Sequence, residues 1–508
     1  MNYALDSKSA KMIDDYTTGI VKIPALVLME RAAYEVAAVM KKHIQKSDHI
    51  LSICGPGNNG GDGIAAGRIL YLQGYHVAIL FLGDEDKATE QTCKQLEIAR
   101  NLGITFESNY KLHEYNIIID SIFGVGLTRP VTGEYEEVIN RINSSGNTVF
   151  SVDIPSGIST DCGRIMNAAV RADYTITFGY QKLGLLLYPG ADYAGEITVA
   201  DIGFAPLSDE LAEAAVFYYS KEDLIMLPQR KNNSHKGTYG KVLIIAGSKG
   251  MSGAAYLSAR AAYRTGAGLV KILTASDNRT ILQTSLPEAL FTAYDSETNQ
   301  EQLALEDIII SIRWASAIVI GPGLGQSKTA QELLDIVIRE AKVPVVIDAD
   351  ALNILSKKME HLQELKERLS YLSNILKPNT ILTPHLMEFS RLLGISLTDI
   401  TNNVIDTAAL CSYNNELTYA LKDARTVVTK QGRRYLNVSG NNGMATGGSG
   451  DVLTGIIASL IAQGMPSFDA TCLAVYIHGL AGDTAAKDKG TYSLMAGDIV
   501  DSIETVIG

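Results

Sequence analysis

Asp451 stands where a carboxylate has to be accounted for. It follows Gly447, Gly448 and Gly450 in NNGMATGGSGDVLTG, a glycine-rich loop running into the apolar stretch VLTGIIASLIAQG, which reads as a buried helix. Free N–H groups and the positive end of the helix dipole make such a junction a cradle for anions. A carboxylate and a phosphate charge roughly 5 Å apart, at an effective dielectric of about 20, repel by about 3 kcal/mol. Two readings stay open. The carboxylate takes a proton from a hydroxyl that attacks a phosphoryl group, with the repulsion offset by a cation, most simply Mg²⁺. Alternatively it only complements the dipole, worth about 0.3–1 kcal/mol.

The first half carries a second constellation. GPGNNGGDG follows the apolar run HILSIC, and Asn58, Asn59 and Asp62 bring amide and carboxyl oxygens that suit a hard cation or a polar ligand. Asp120 after NIII and Asp153 in SVDIPSGIS end two more apolar runs, and DSIFGVGLTRP offers Gly124 and Gly126 as a second ligand-contacting loop. Carboxylates and amides at three strand ends point to one crevice. Asp348 and Asp350 in VVIDADALN, His385 in LTPHLMEFSRLL and Lys430 in VVTKQG are weaker signals. Each also fits a turn former, a loop histidine or an exposed hairpin lysine. IGPGLG and IIAGSKGMSGAAYLSAR are further glycine-rich turns after strands. Neither is a GxxxxGK[ST] phosphate loop, so the phosphate cradle is Gly447 to Gly450 itself.

These residues need elements to hold them. PALVLMERAAYEVAAVM has helical spacing, and HILSIC, HVAILFL, NIIID, TVFSVDI, YTITFG and ITVADIG read as buried strands. Continuous apolar strands separated by helix-length segments indicate a parallel sheet covered on both faces. A doubly wound α/β domain is therefore expected to end near Phe204. The pattern weakens between about Pro206 and Asn233, and a second α/β series follows in KVLIIAG, LVKILT, AIVIGPG, PVVIDAD, TILTPH and RTVVTKQG. KKMEHLQELKERLSYLSNIL reads as one charged amphipathic helix. Ligands of parallel sheets bind beyond the carboxyl ends of the strands, so IGPGLG, IIAGSKGMSGAAYLSAR and the Gly447 to Gly450 loop are expected to converge on one crevice.

A chain of 508 residues needs more than one domain, and 46% hydrophobic with 20% charged residues is the make-up of a globular protein with large cores. A net charge of −12 excludes a nucleic-acid binder, which needs a basic face. The five cysteines are scattered and lack CxxC spacing, so neither a disulfide framework nor a cysteine metal site is expected. MNYALDSKSAKMIDDY has charges where a signal peptide needs an apolar core, and no apolar run approaches membrane length. A cytoplasmic protein with no membrane partner is expected.

At this point the motifs become specific. MERAAYEVA, CGPGNNGGDGIAAGRIL, DSIFGVGL and SVDIPSGI, in that order, resemble the NAD(P)H-hydrate epimerase (YjeF N-terminal) family over residues 1–215. SHKGTYGKVLIIAGSKGMSGAAYLSARAA, IGPGLG, VIDADALN, LTPH and GNNGMATGGSGDVLTG resemble the ADP- or ATP-dependent NAD(P)H-hydrate dehydratase family over 230–508, with 216–229 as a linker. The resemblance implies an N-terminal Rossmann-like three-layer domain and a C-terminal ribokinase-like α/β domain. It also implies two activities on reduced nicotinamide nucleotide that has taken up water at C6. One interconverts the R and S epimers. The other returns the S form to NAD(P)H at the expense of ADP, or alternatively ATP.

Carried onto this chain, the resemblance implies that Asn58, Asn59, Gly60, Gly61 and Asp62 contact the hydrate, as do Gly124, Val125, Gly126, Leu127, Thr128, Arg129 and Pro130. Asn59, Asp120 and Ser156 would hold K⁺, and Asp153 would be the acid/base, since making and breaking the C6–O bond moves a proton at that oxygen. Asp451 would deprotonate the C6 hydroxyl of the S epimer, with Gly253, Gly323 and His385 positioning it and Mg²⁺ assisting. Lys430, Gln431, Gly432, Arg433 and Arg434, with Gly447, Gly448, Ser449 and Gly450, would hold the nucleotide. The partners implied are NADHX or NADPHX and ADP or ATP, in a homo-oligomer. The chain departs from the family at PHLMEF, where PHPGE is usual, so a less constrained loop is expected at His385. The rival reading is a ribokinase-like vitamin kinase with a non-catalytic N-terminal binding module, which leaves NNGGDG without a role.

Overall fold

The computed structural model describes residues 1–109, 111–294, 305–413 and 415–508. These form two compact units, Tyr3–Val216 and Phe217–Gly508, the second including Met1–Asn2.

The N-terminal unit is built on a 7-stranded sheet in which neighbouring strands run parallel. The strand His49–Cys54 lies at its middle, with His76–Phe81 and Thr105–Phe106 on one side and Ile117–Ser121, Thr148–Val152, Tyr174–Phe178 and Glu196–Ala200 on the other. Alternate side chains enter different cores. Ile50, Ile117, Ile119 and Phe150 pack with Ala33, Val36 and Ala37 of the helix Ala25–Met40, whereas Leu51, Ile118 and Val149 pack with Val138, Ile139 and Ile142 of the helix Glu134–Ser145. Both faces of the sheet are thus apolar and covered, which is why its strands read as continuous apolar runs. The strand order reverses between His49–Cys54 and Ile117–Ser121, the place where an open α/β sheet leaves a crevice at its carboxyl edge. The helix Asn58–Leu72 presses onto that edge, and a Cβ at Gly63 would lie 1.9 Å from Ser121 Oγ.

In the C-terminal unit the strands Leu290–Tyr294, Leu269–Ala275, Lys241–Ile245, Ala317–Ile320, Val345–Ile347, Ile381–Leu382 and Thr418–Leu421 are neighbours in that order and run parallel. Val427–Lys430 and Arg433–Leu436 extend the sheet as an antiparallel hairpin. The reversal point here falls between Lys241–Ile245 and Ala317–Ile320. The helix Ser449–Ala462 is buried from Val452 to Ile461 and packs so closely on the helix Ser252–Arg264 that a Cβ at Gly455 would meet Ser258 O at 2.1 Å.

Two expectations differ from this fold. The stretch from Lys357 to Leu376 is not one helix: Asp350–Lys358 ends and Leu365–Ile375 begins anew, with Glu364 and Glu367 exchanging backbone-to-carboxylate hydrogen bonds as a capping box. The buried Met359 between them turns the chain inward. Residues 216–229, expected as a linker, carry the strand Val216–Tyr218 and the 3-10 helix Lys221–Met226, and Phe217 and Tyr219 are buried against Tyr435.

Candidate active sites

A cavity of about 840 Å³ opens at the carboxyl edge of the N-terminal sheet. Asn58, Asn59 and Asp62 reach it from the first turn of the helix Asn58–Leu72, and Gly124 to Arg129 line it from the loop after Ile117–Ser121. Gly60, Gly61 and Pro130 stand off its wall: Gly60 packs on the Gly55 backbone and Gly61 on Met29. Asp153 faces the cavity from just beyond the strand Thr148–Val152, held at φ +66° in the left-handed region that a non-glycine residue rarely enters.

A group absent from the sequence-level set holds Asp153 there. Lys182 Nζ lies 2.5 Å from Asp153 Oδ1, and Thr177 Oγ1 and the Phe178 N–H donate to the same oxygen at 3.0 and 3.1 Å. Lys182 also donates to Thr177 Oγ1 and Phe178 O at 2.9 Å each, and its side chain is only 4% exposed. Oδ2 keeps no hydrogen bond among the described residues and is available to a ligand.

Behind the cavity Asp120 is fully buried. It accepts from Ser156 Oγ at 2.5 Å, Ser151 Oγ at 2.7 Å and the Ser156 N–H at 2.9 Å. Burial pushes its carboxyl up from the ordinary aspartate range, and the serine hydrogen bonds pull it partly back. Ser156 Oγ also meets Phe123 O at 3.2 Å, the carbonyl that Asn59 Nδ2 reaches at 2.9 Å. Asn59, Asp120, Ser156 and the Phe123 carbonyl therefore meet in one knot of hard oxygen donors around a desolvated carboxylate. That chemistry fits a monovalent cation, which would compensate the buried charge.

In the C-terminal unit the strand ends gather another set. Asp348 is buried beyond Val345–Ile347 and pairs with Lys422 Nζ at 2.6 Å. Lys422 follows Thr418–Leu421, its N–H donates to Pro384 O at 2.8 Å, and it bridges in parallel to His385. A Cβ at Gly450 would lie 3.3 Å from Lys422 Nζ and 3.8 Å from Asp348 Oδ2, so the glycine loop lies directly over this pair. Gly448 caps the helix Ser449–Ala462 at φ +91°, which lets the loop enter it with its N–H groups outward. Asp451 sits in the first turn. Burial, then the charge of Asp348, raises its carboxyl to about 7, with Lys422 opposing.

Gly323, at φ +56°, turns its carbonyl to Ser248, which donates from N at 2.6 Å and from Oγ at 3.0 Å. Asp350 accepts the Gly325 N–H at 2.8 Å. Gly253 and Gly447 border open space, with no atom within 4 Å of a Cβ placed there. The helix Ser467–Lys489 backs the glycine loop. Its Asp483 accepts the Gly440 N–H and Asn441 Nδ2 at 2.9 Å each, and its His478 Nε2 lies 3.3 Å from Ser449 Oγ. Burial lowers the His478 ring to about 4, so the ring is neutral at physiological pH.

Comparison with known proteins gives these two sites a family. Residues 242–505 match the family model described as NAD(P)H-hydrate dehydratase, and residues 25–184 match that of the YjeF-related protein N-terminus. A bifunctional NAD(P)H-hydrate repair enzyme of Thermofilum pendens is 35% identical over 493 residues, covering 94% of this chain and 91% of its own. This chain belongs to the bifunctional NAD(P)H-hydrate repair enzymes. It is an enzyme of two halves, an isomerase of the YjeF type and a lyase of the dehydratase type. The repair enzyme of Escherichia coli K12 is 32% identical, covering 94% of this chain and 89% of its own. Among solved structures, the ADP/ATP-dependent NAD(P)H-hydrate dehydratase of Bacillus subtilis co-crystallized with ATP/Mg2+ is 30% identical over 57% of this chain and 97% of its own, with a TM-score of 0.47.

Within that family frame the structure moves one group of residues. Lys430, Gln431, Gly432, Arg433 and Arg434 do not reach the glycine loop. Val427–Lys430 runs antiparallel to Thr418–Leu421, so it carries Lys430 back to the amino edge of the parallel strands. Gln431 and Gly432, both at positive φ, close a two-residue hairpin there. Lys430 donates to Asn379 Oδ1, and Arg433 and Arg434 pair with Asp469 and Asp406. The lysine at the carboxyl edge is Lys422, in LKDART.

The loop at His385 is also firmer than its lost proline and glycine imply. His385 Nδ1 accepts the Met387 and Glu388 N–H groups at 3.1 and 3.2 Å, and Glu388 Oε2 accepts the His385 N–H at 2.9 Å. A reciprocal cap replaces the missing backbone constraints. Lys182, the Phe123 carbonyl, Lys422, His478 and Asp483 were not anticipated. The only local signals are a lysine set among the buried residues of QKLGLLL and two polar residues on one helix in HGLAGD.

Proposed function

We propose that the N-terminal cavity epimerises the C6 hydroxyl of NADH or NADPH hydrate, and that the C-terminal cleft dehydrates the S form with ADP, or ATP, as phosphoryl donor. The observation that carries this reading is the pairing of two different carboxylate settings in one chain. Asp153 is fixed by Lys182 on a cavity wall, and Asp451 is raised toward neutrality inside an anion cradle.

In the cleft, a base matched to neutral pH takes the proton of the C6 hydroxyl as its oxygen attacks the terminal phosphoryl group. The phosphate ester then leaves with its bonding electrons as the lone pair of ring N1 forms an N1=C6 bond, and loss of a C5 proton to water forms the C5=C6 bond of reduced nicotinamide and returns the N1=C6 pair to N1. The N–H groups of Gly447, Gly448 and Gly450, with Lys422, stabilise the charge on the phosphoryl oxygens. Gly253, Gly323 and His385 border the hydrate's side. No three His, Cys, Asp or Glu side chains among the described residues form a metal cage. Mg²⁺ carried in on the nucleotide phosphates, with Asp348 as the carboxylate that would meet it, suits that arrangement and would neutralise the phosphates. In the cavity, Asn59, Asp120, Ser156 and the Phe123 carbonyl would hold K⁺, which would supply the charge that compensates the buried Asp120 carboxylate.

The cysteines form no disulfide, and no helix among the described residues is long and apolar enough to cross a membrane. Both support a cytoplasmic enzyme. Exposed Tyr16, Ile20, Val21, Leu26 and Val27, on and between the helices Ser7–Gly19 and Ala25–Met40, support a homo-oligomer.

The test is recovery of near-ultraviolet absorbance from mixed R and S NADH hydrate with Mg²⁺, K⁺ and either nucleotide. Recovery is expected to pass the S fraction with release of phosphate, and replacing K⁺ by a bulky organic cation is expected to stop it at the S fraction. A stable phosphorylated product in place of NADH would turn the assignment to a kinase.

The brace on the glycine loop yields a further expectation. Asp483→Ala deprives Gly440 N–H and Asn441 of their acceptor, two hydrogen bonds each worth about 0.5–1.5 kcal/mol. The KM for nucleotide should rise about tenfold while that for hydrate holds. Steady-state kinetics with each substrate varied checks this, and an unchanged nucleotide KM would free the loop from Asp483.

A further inference from the structure

Epimerisation at C6 needs two proton positions, and the cavity holds carboxyl groups in two contrasting states. Asp153 is tied by Lys182, Thr177 and the Phe178 N–H. Asp62 lines the same cavity and has no hydrogen bond or ion pair among the described residues. We propose that Asp62 is the proton donor to the departing C6 oxygen, opposite in role to Asp153, which takes the proton of the incoming water. This rests on the epimerase reading of the cavity.

The surroundings of Asp62 favour its neutral form. Burial raises its carboxyl well above the ordinary range, and the charges of Asp153 and Asp14 raise it further. Asp14 lies close enough on the helix Ser7–Gly19 to act on it and is itself raised, by burial and then by Asp15. The cations on the cavity wall are Lys8 and Lys11 of that helix, Arg129 of the loop, and Lys182, which Asp153 already occupies. A carboxyl tied by three donors and, on the same cavity wall, one without a side-chain partner among the described residues are the arrangement that divides base from acid.

The step balances within the chain. The C6–O bond breaks with its electron pair going to oxygen, which takes the Asp62 proton and leaves as water. The lone pair of ring N1 forms an N1=C6 bond. Water adds to the opposite face of C6, the N1=C6 pair returns to N1, and the proton lost from that water goes to Asp153 Oδ2. The reverse direction starts from neutral Asp153 and ionised Asp62, and exchange with cavity water interconverts the two forms.

The test compares wild type, Asp62→Asn and Asp62→Ala by epimerisation rate and by affinity for NADH hydrate. Wild type must epimerise, and its failure would remove the cavity's assigned function rather than the role of Asp62. Asp62→Asn is expected to lose at least about 100-fold in rate with affinity held within about threefold. Added acetic or formic acid is expected to restore part of the Asp62→Ala rate, a response that a merely structural residue would not give. A rate within about threefold of wild type in Asp62→Asn, loss of affinity in step with rate, or absence of rescue at saturating acid would each overturn the proposal.

Discussion

Asp451→Asn is expected to lower the dehydratase kcat by about 10²–10⁴-fold while leaving epimerisation of the same hydrate at the wild-type rate. The amide keeps the shape of the side chain and its place in the first turn of the helix Ser449–Ala462 but cannot take the C6 proton. The wild-type pH profile follows from the same setting. Because the carboxylate is the working form and the group is raised to about 7, kcat/KM for the free enzyme should climb as pH rises through about 7, where an ordinary aspartate would have levelled off far lower. A flat profile from pH 5 to 8 would remove Asp451 as the base. The stability effect runs the other way. A carboxyl whose folded value lies above the ordinary aspartate value of 3.8 binds protons more tightly when folded. Its contribution to stability therefore falls as pH rises from about 4 to about 7 and stays low above that. Asp451→Asn escapes that loss, so its thermal midpoint should exceed wild type at pH 8 and converge with it near pH 4. Differential scanning calorimetry at the two pH values checks the sign. An active-site base that costs the fold stability and supplies the chemistry is the trade-off expected of a functional carboxylate.

How much of this was legible depended on whether one element or two had to be known. The strands of both sheets are apolar on both faces, so HILSIC or KVLIIAG announces itself without reference to anything else. Asp120, Asp153 and Asp348 were visible as carboxylates at the ends of such runs, because a parallel sheet sends all those ends to one edge. The lysines were not. Choosing between Lys422 and Lys430 requires the direction of the strand each one follows. Thr418–Leu421 is short, and the chain reverses after it through residues 422–426 before the next strand, Val427–Lys430, runs back antiparallel. Lys182 is harder still. Its strand, Gln181–Lys182, is two residues long and pairs in parallel with Asn2–Leu5 at the other end of the unit's sequence, so nothing nearby marks it as the partner of Asp153. Asp483 and His478 lie on a helix whose buried residues leave no clear polar face. Their role appears only where that helix meets the glycine loop.

Lys182→Met is the variant expected to cost the N-terminal unit most. It leaves the Asp153 carboxylate buried at φ +66° with only Thr177 and the Phe178 N–H to support it, in a cavity that Asp62 and Asp14 already make acidic. Breaking a buried pair from one side costs about 3–5 kcal/mol, because a charge is left without its counterion. Epimerisation should fall about 100-fold or more, since the Asp153 carboxylate loses both its position and its charge partner. Lost packing of a side chain that is 4% exposed would also destabilise the unit, and one further variant separates the two causes. In Asp153→Asn/Lys182→Met no charge remains to be left unpaired. If the ion pair is what fails in the single variant, the double variant should regain most of the lost stability in urea or heat and none of the epimerase activity. If packing is what fails, the double variant should be no more stable than Lys182→Met. Recovery of stability without activity would place Lys182 in the chemistry through Asp153, as the group that keeps a carboxylate charged and aimed inside an apolar-walled cavity.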